Sequence, residues 1–266
     1  MKNHIFLFLL AQLITANISA QTGALWHGKK CAVVLTYDDA LNVHIKNVLP
    51  ALDSLGLKAT FYISDYFDGL KDQIFQWRKA AANGHELGNH TLFHPCAGGP
   101  GREFVRSDYD LRYYSMKRIT DEIKMANNLL TAIDGKTKRT FAYTCGDTKV
   151  GDSSIISIIR QLFVAARGVQ QEMPPIDKVD LYQIGCYSGN GQSGEEMIDW
   201  VKRTMSNHTL LVFLFHGVGG EHSLNVSLEA HSQLLHFLKQ NEKDIWIAPM
   251  LDVSEYIRNY QQKNKM

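Results

Sequence analysis

The sequence of 266 residues carries almost no net charge: 28 lysines and arginines stand against 27 aspartates and glutamates, a formal +1. No basic run disturbs that balance. Bulk attraction to nucleic acid or to an anionic membrane surface is therefore excluded as the basis of function. The chemistry must be sought in a site rather than in a field. Cysteine is sparse. Cys31, Cys96, Cys145 and Cys186 are widely spaced and form no CxxC, which argues against a thiolate zinc site. Beyond the first twenty residues no apolar stretch is long enough to cross a bilayer, so no stable membrane insertion is expected of the rest. Internal repeats, low-complexity tracts and linker-like stretches are missing, which points to a single domain.

What is present begins with a leader. Lys2 supplies a positive start, Ile5 to Leu13 is almost unbroken apolar sequence, and Ile18-Ser19-Ala20 offers small residues for cleavage. This is the pattern of a secretory signal peptide over residues 1–20, leaving a mature domain over 21–266. The apolar run is short for a membrane anchor, and no cysteine follows closely enough to suggest a lipoprotein. An exported protein, periplasmic or secreted, is expected. Export permits disulfides. Cys31, at the start of an apolar strand, is expected as a buried free thiol, and any pairing among the other three stays open. A chain of this length, 45% hydrophobic and 21% charged, can bury a core without staples. A metal would then serve chemistry rather than folding.

The periodicity alternates between strand and helix. Val33-Val34-Leu35-Thr36-Tyr37 reads as a strand buried on both faces. Ile45, Val48, Leu49, Leu52 and Leu55 recur at helical spacing, and Gly56 stops the helix. Ala59 to Ile63 reads as the next strand. Further strands are expected at 140–143, 162–166, 181–184, 210–215 and 245–248. Helices are expected at 73–82, 115–133, 195–205, 228–239 and 253–260. This is α/β organisation throughout. The long connector from Pro95 to Asp110 is placed to form one wall of a cleft.

Three segments could carry chemistry, each at or just after a strand end, where barrels of parallel strands converge on their active sites. Asp38-Asp39 places adjacent carboxylates in different directions, although a bare pair is more often a turn. His90 and His94, four apart, would share a face on a helical turn and could hold one zinc-like ion, although histidine-rich surface is common. Leu210 to Phe215 ends in His216-Gly217, which puts an imidazole at a barrel mouth, although a capping histidine is the blander reading.

In this order and spacing the three segments resemble the polysaccharide deacetylases (NodB homology, carbohydrate esterase family 4). Thr36 to Ala40 is similar to the family's TFDDG motif, His90 to His94 to its H(S/T)xxH motif, and Leu214-Phe215-His216 to its late LxH motif. The resemblance runs from about Cys31 to Ile257. It implies a distorted (β/α) barrel. It also implies a hydrolase that removes N-acetyl or O-acetyl groups from a polysaccharide or oligosaccharide with a divalent metal, zinc first and cobalt or nickel as alternatives. Asp39, His90 and His94 would hold the ion, Asp38 would be the general base and His216 the general acid. The chemistry is coherent, because such an ion activates water near neutral pH and polarises a carbonyl. The Cys145 backbone N–H would help hold the oxyanion.

The match departs from the family at two places. Where FRPPYG is usual, the chain reads Phe141-Ala142-Tyr143-Thr144-Cys145-Gly146, so Ala142 stands where an arginine orients the base. Arg139 or Arg167 could supply that charge, and Arg167 is preferred because it follows the strand-like 162–166. The family's Asp-Trp pair is not evident. Asp177 and Asp180 are the nearest acids, and Asp199-Trp200 reads as helix. A non-catalytic carbohydrate-binding relative and an amidase on a small C–N substrate are the alternatives. His85, His208, His222, His231 and His236 read as surface or helix-face residues, with His44 near the cleft but assigned no role. Tyr66, Phe67, Tyr113, Tyr114 and Tyr187 could stack on sugars or pack in the core. Asn89-His90-Thr91, Asn207-His208-Thr209 and Asn225-Val226-Ser227 match the glycosylation pattern only as chance would.

Overall fold

The computed structural model describes residues 25–264, so the expected leader lies outside the described residues. Eight parallel strands form the main sheet. They are β1 (Cys31–Asp38), β2 (Thr60–Ile63), β3 (Glu86–Asn89), β4 (Phe141–Ala142), β5 (Ala166–Arg167), β6 (Tyr187–Gly189), β7 (Leu210–Phe215) and β8 (Ile245–Ile247). Their order is β5-β4-β3-β2-β1-β7-β6. On one edge of β1 the first residues pair with β8 and the last with β2, while β7 pairs along its other edge. A parallel bridge between Arg167 and Ile184 links β5 to the segment leading into β6 and carries the sheet round into a distorted barrel.

Strand β1 is buried along its whole length, and its alternation sorts the core. Val33, Leu35 and Tyr37 face one apolar layer with Val201 of helix α5 (Gly194–Asn207) and Leu234 of helix α6 (Leu228–Gln240). Ala32 and Val34 face the other layer, with Leu210, Val212 and Val253 of helix α7 (Met250–Lys263). Asp38 shares the parity of Ala32 and Val34 and so opens onto that second, interior side at the strand's carboxyl end.

The helices start and stop for local reasons. Helix α3 (Met116–Asp134) begins where the Ser115 hydroxyl accepts from Arg118 N–H, and ends at Gly135 with φ 72°. Helix α5 opens with a capping box between Ser193 and Glu196. Helix α2 spans Ile74–Ala82. The expected helix after β1 starts as a wider π-type turn, His44–Val48, and continues as α1 (Leu49–Ser54).

Two expected strands are corrected. Residues 162–166 do not form one: Ile155, Ile159 and Phe163 recur at helical spacing and are buried on one face, so α4 (Ile156–Leu162) fills the start of that stretch. The strand begins only at Ala166. Residues 181–184 form a turn, in which the Asp180 carboxylate accepts from Tyr182 N–H, and the strand follows at Tyr187. Asp199-Trp200 lies in α5, with Trp200 stacked on Phe213 and Asp199 paired to Lys202 at the surface. Two of the histidines read as surface or helix-face residues are buried: His85 accepts from Ala59 N–H, and His231, on helix α6 as that reading allowed, lies 2.7 Å from the Tyr37 hydroxyl.

Burial pushes the His231 imidazole down to about 3 and the His44 imidazole down to about 4. In the unfolded chain both titrate near 6.5. The unfolded state therefore takes up these protons first, and stability is lost as pH falls from about 6.5 towards 4. The loss is at most about 1.4 kcal/mol per pH unit for each group. Urea unfolding at pH 7.5, 6.5 and 5.5 should show that decline, with a shallower slope in His231→Gln.

Candidate active site

Strand β1 delivers both carboxylates and then turns sharply. Asp39 and Ala40 take left-handed backbone angles, φ 80° and 53°, while Asp39 N–H still bonds to the Tyr62 carbonyl at 3.1 Å. That turn separates two neighbouring side chains. Asp38 reaches sideways to Arg167, and Asp39 reaches up to the histidines.

His90 and His94 do meet, but not on a helical turn as expected. They lie on a loop after β3 that folds back through Thr91, at φ 62°. Thr91 N–H donates to Asn89 Oδ1 at 2.8 Å, and the Thr91 hydroxyl accepts from His94 N–H at 3.1 Å. Glu122 of α3 accepts from Phe93 N–H at 2.9 Å. Asn89 is itself buried and donates to Ile123 O, so its glycosylation-like context is structural. The result brings His90 Nε2 to 3.5 Å and His94 Nε2 to 3.3 Å from Asp39 Oδ1.

These atoms fit a cation. The ligand atoms of Asp39, His90 and His94 lie within 4.8 Å of one another. Asp39 Oδ1 is buried and accepts no hydrogen bond among the described residues. His90 Nδ1 lies 2.9 Å from the Ala142 carbonyl, and donation there leaves the Nε2 lone pair facing Asp39. Burial, then the neighbouring Asp38 charge, pushes the Asp39 carboxyl well above its usual range. Burial pushes His94 down to about 3. Such a trio without a compensating positive charge is costly, and a bound cation removes that cost.

Asp38 has a different surrounding. Burial raises its carboxyl, but Arg167, His90 and His216 together outweigh burial and hold it below the usual range. The Arg167 guanidinium, fully buried, donates directly to Asp38 Oδ2. Arg167 is the register partner of Ala142 across the β4–β5 pair. The charge that the family's pattern places on β4 thus reaches the carboxylate from the adjacent strand. Arg139 lies elsewhere, donating to the Leu87 carbonyl and to Asp134.

His216, at the end of β7, brings Nε2 to 3.9 Å from Asp39 Oδ2. Burial pushes its imidazole down to about 3. Its carbonyl lies 2.8 Å from His44 Nε2, which gives His44 a supporting place. Neither Asp177 nor Asp180 approaches it: Asp177 pairs with Lys178 and Asp180 with Arg160, both at the surface. His216 Nδ1 has no partner among the described residues. His222, read from sequence as surface, sits in the site, its ring stacked on His216 at 4.8 Å and 15°. No motif marks it. The signal available in the sequence was its place six residues after a strand-end histidine, across three glycines.

Cys96 and Cys145 form a disulfide that joins the loop after His94 to the loop after β4. Arg102 reinforces the joint by donating to Asp147 Oδ2 at 2.5 Å and to the Cys145 carbonyl at 3.2 Å. Cys31 and Cys186 are buried free thiols. A cleft of about 710 Å³ opens above the carboxylates. Tyr66, Phe67, Phe104, Arg106 and Tyr109 line one side of it and Leu224 the other, so the 95–110 connector does form a wall. Tyr114 is buried and Tyr187 packs on Trp200, away from the cleft.

The family model described as polysaccharide deacetylase matches residues 27–163, slightly more than half of the chain. The chain belongs to the polysaccharide deacetylase family. A chitooligosaccharide deacetylase from Sinorhizobium fredii is 36% identical over 75 residues, 28% of this chain and 34% of that protein. The match thus spans about a third of that relative's length. Among solved structures, a presumed polysaccharide deacetylase from Mycobacterium smegmatis superposes with a TM-score of 0.63 at 13% identity, covering 88% of this chain and 92% of that one. The peptidoglycan deacetylase PdaC from Bacillus subtilis gives 0.51 at 14% identity, covering 88% and 95%. A mutant of a family 4 pseudoenzyme gives 0.52 at 18% identity, covering 85% and 67%. At these identities the structural likenesses speak for the deacetylase fold.

Removing one partner of the buried Asp38–Arg167 pair strands a charge. Arg167→Met should lower unfolding free energy by about 3–5 kcal/mol in urea at pH 7.5, and adding Asp38→Asn should restore part of it. The disulfide closes a loop with a sequence separation of 49. Its reduction should cost about 2–4 kcal/mol, read as a lower urea midpoint in dithiothreitol.

Proposed function

We propose that this protein is an exported, metal-dependent hydrolase that removes acetyl groups from a carbohydrate. The observation that carries the reading is the convergence of Asp39, His90 and His94 on one point, with the ionised Asp38 beside it. The ion is divalent, zinc first, with cobalt or nickel able to replace it. When bound, it supplies Lewis acidity toward the acetyl carbonyl and the attacking water.

The chain's own residues do the rest. Asp38, kept ionised by Arg167, accepts the proton of the attacking water at its carboxylate. Arg167 donates to Oδ2 and so fixes the plane of the carboxylate, which leaves Oδ1, buried and unpaired, available as the base. The proton that Asp38 takes from water would pass through His216 to the departing nitrogen or oxygen as the tetrahedral intermediate collapses. Proton transfers of this kind contribute about 10²–10⁴-fold each. The Cys145 backbone N–H, on a residue that lines the cleft and is tied by the disulfide, would donate to the developing oxyanion.

The cleft is of the size that takes small ligands or a sugar unit, and Phe104 at its rim is 65% exposed. Aromatic faces at an open mouth suit a sugar ring better than a small amide substrate. Export rests on the leader read from residues 1–20. No helix among the described residues is long and apolar enough to cross a membrane.

The mature protein supplied with zinc, cobalt or nickel should release acetate from acetylated chitooligosaccharide, peptidoglycan or acetyl-xylan. Asp38→Asn should reduce that rate about 10²–10⁴-fold while leaving the circular dichroism spectrum unchanged. Glycan binding without acetate release from any of the three would instead establish a non-catalytic relative.

A further inference from the structure

We propose that His222 is a substrate-binding residue of this site: its Nε2–H donates a hydrogen bond to a sugar oxygen on the side where His216 protonates the leaving group. The inference deepens the deacetylase reading and rests on it for the identity of the substrate.

The ring's tautomer follows from one contact. Leu224 N–H donates to His222 Nδ1 at 3.0 Å. A neutral imidazole that accepts at Nδ1 carries its proton on Nε2. That nitrogen points into the cleft, which His222 lines. It lies 4.0 Å from Asp39 Oδ2, too far for a direct hydrogen bond. His216 Nε2 lies 3.9 Å from the same oxygen. Two stacked rings therefore aim two nitrogens at one region of the cleft, and the His222 donor has no acceptor within the protein among the described residues. A carbohydrate beside its acetyl-bearing atom offers what is missing, a hydroxyl, ring or glycosidic oxygen.

The loop that presents His222 is built for the purpose. Gly219, Gly220 and Glu221 run at φ 77°, 131° and 68°, a left-handed path that the glycines take freely and Glu221 does not. The Glu221 carboxylate holds that path. Its Oε1 accepts from Asn42 N–H at 3.1 Å and from Asn42 Nδ2 at 2.8 Å, and its Oε2 accepts from Val43 N–H at 2.6 Å. Gly220 N–H donates to Asn225 Oδ1 at 2.8 Å. The histidine is thus tied to the segment directly after Asp38-Asp39, and Phe67 meets its edge from across the cleft. Its side chain remains 23% exposed, open to a ligand.

Two substitutions separate a donor from a stacking ring. His222→Phe keeps the flat face against His216 and loses the N–H. His222→Gln loses the face and keeps an N–H near the position of Nε2. Acetate release by the zinc-loaded protein and calorimetric titration of the metal-free protein with N-acetylated chitooligosaccharide are measured for each, along with zinc affinity. His222→Phe should lower kcat/KM and glycan affinity about 10–100-fold, and His222→Gln should recover most of that loss. Zinc affinity should stay within threefold in both. The inference is overturned if His222→Phe behaves as the unmodified protein, if both variants lose equally, or if zinc affinity falls tenfold or more, which would make His222 a ligand. Should the unmodified protein release no acetate, the deacetylase reading fails. The titration then decides alone: weaker glycan binding in His222→Phe sustains the role of His222, and equal or absent binding ends it.

Discussion

Two carboxylates buried side by side at the end of β1 set the terms for everything around them. Removed from water and adjacent in sequence, Asp38 and Asp39 repel each other at short range, where little screening intervenes. The fold answers by sending them apart and giving one of them a positive partner. The left-handed turn at Asp39 and Ala40 divides the pair. Arg167, as buried as Asp38 itself, neutralises one of them permanently. The other is left against the His90 and His94 imidazoles, where burial and the Asp38 charge hold its carboxyl well above the usual range, a cost that a bound cation would relieve. On the proposed reading a fixed arginine and an exchangeable ion would divide the work, which would leave one carboxylate free to act as a base while its neighbour binds.

Holding that balance requires the loops to be stiff, because charge compensation at 3–4 Å decays quickly with displacement. The molecule uses a different device at each loop. The His90–His94 loop is closed on itself by Asn89 and Thr91. The loop after β4 is welded to the 95–110 connector by the Cys96–Cys145 bond and the Arg102–Asp147 ion pair. The loop after β7 is tied through Glu221 to the chain just beyond β1. The first device is a pair of neutral hydrogen bonds, the second covalent and ionic, the third charge-assisted, and a site without regular secondary structure needs such ties in order to stay put.

Much of this was legible in the sequence, and the reasons for the rest are physical. Strand β1, buried on both faces, left an unbroken apolar run, and the Asp38-Asp39, His90/His94 and His216 segments sit at strand ends as read. What failed was local. Leu162 to Ala166 is apolar enough for a strand, but Ile155, Ile159 and Phe163 impose a helical period on the preceding stretch. His90 and His94 share a site through a left-handed turn at Thr91, a conformation that composition does not announce. The burial of His85 and His231 was missed because histidine is read as polar, whereas each here finds a buried partner. His222 was passed over because its position depends on Glu221 finding two backbone N–H groups about 180 residues away in sequence, a long-range fact.

Ala142 offers the sharper lesson. In a linear pattern its presence removes the residue that orients the catalytic base. In the sheet, Ala142 and Arg167 are neighbours in register, so a guanidinium entering from β5 arrives where one entering from β4 would have been. The requirement is a donor at a point in space, and a parallel sheet gives two adjacent strands access to that point. The same reasoning applies beside His216. Among the described residues no acid holds its Nδ1, and that atom has no partner. The ring is instead faced by another imidazole brought from the same loop. An outer shell can be rebuilt from neighbouring elements as long as the charges and donors fall at the same places, and motif letters alone do not register such an exchange.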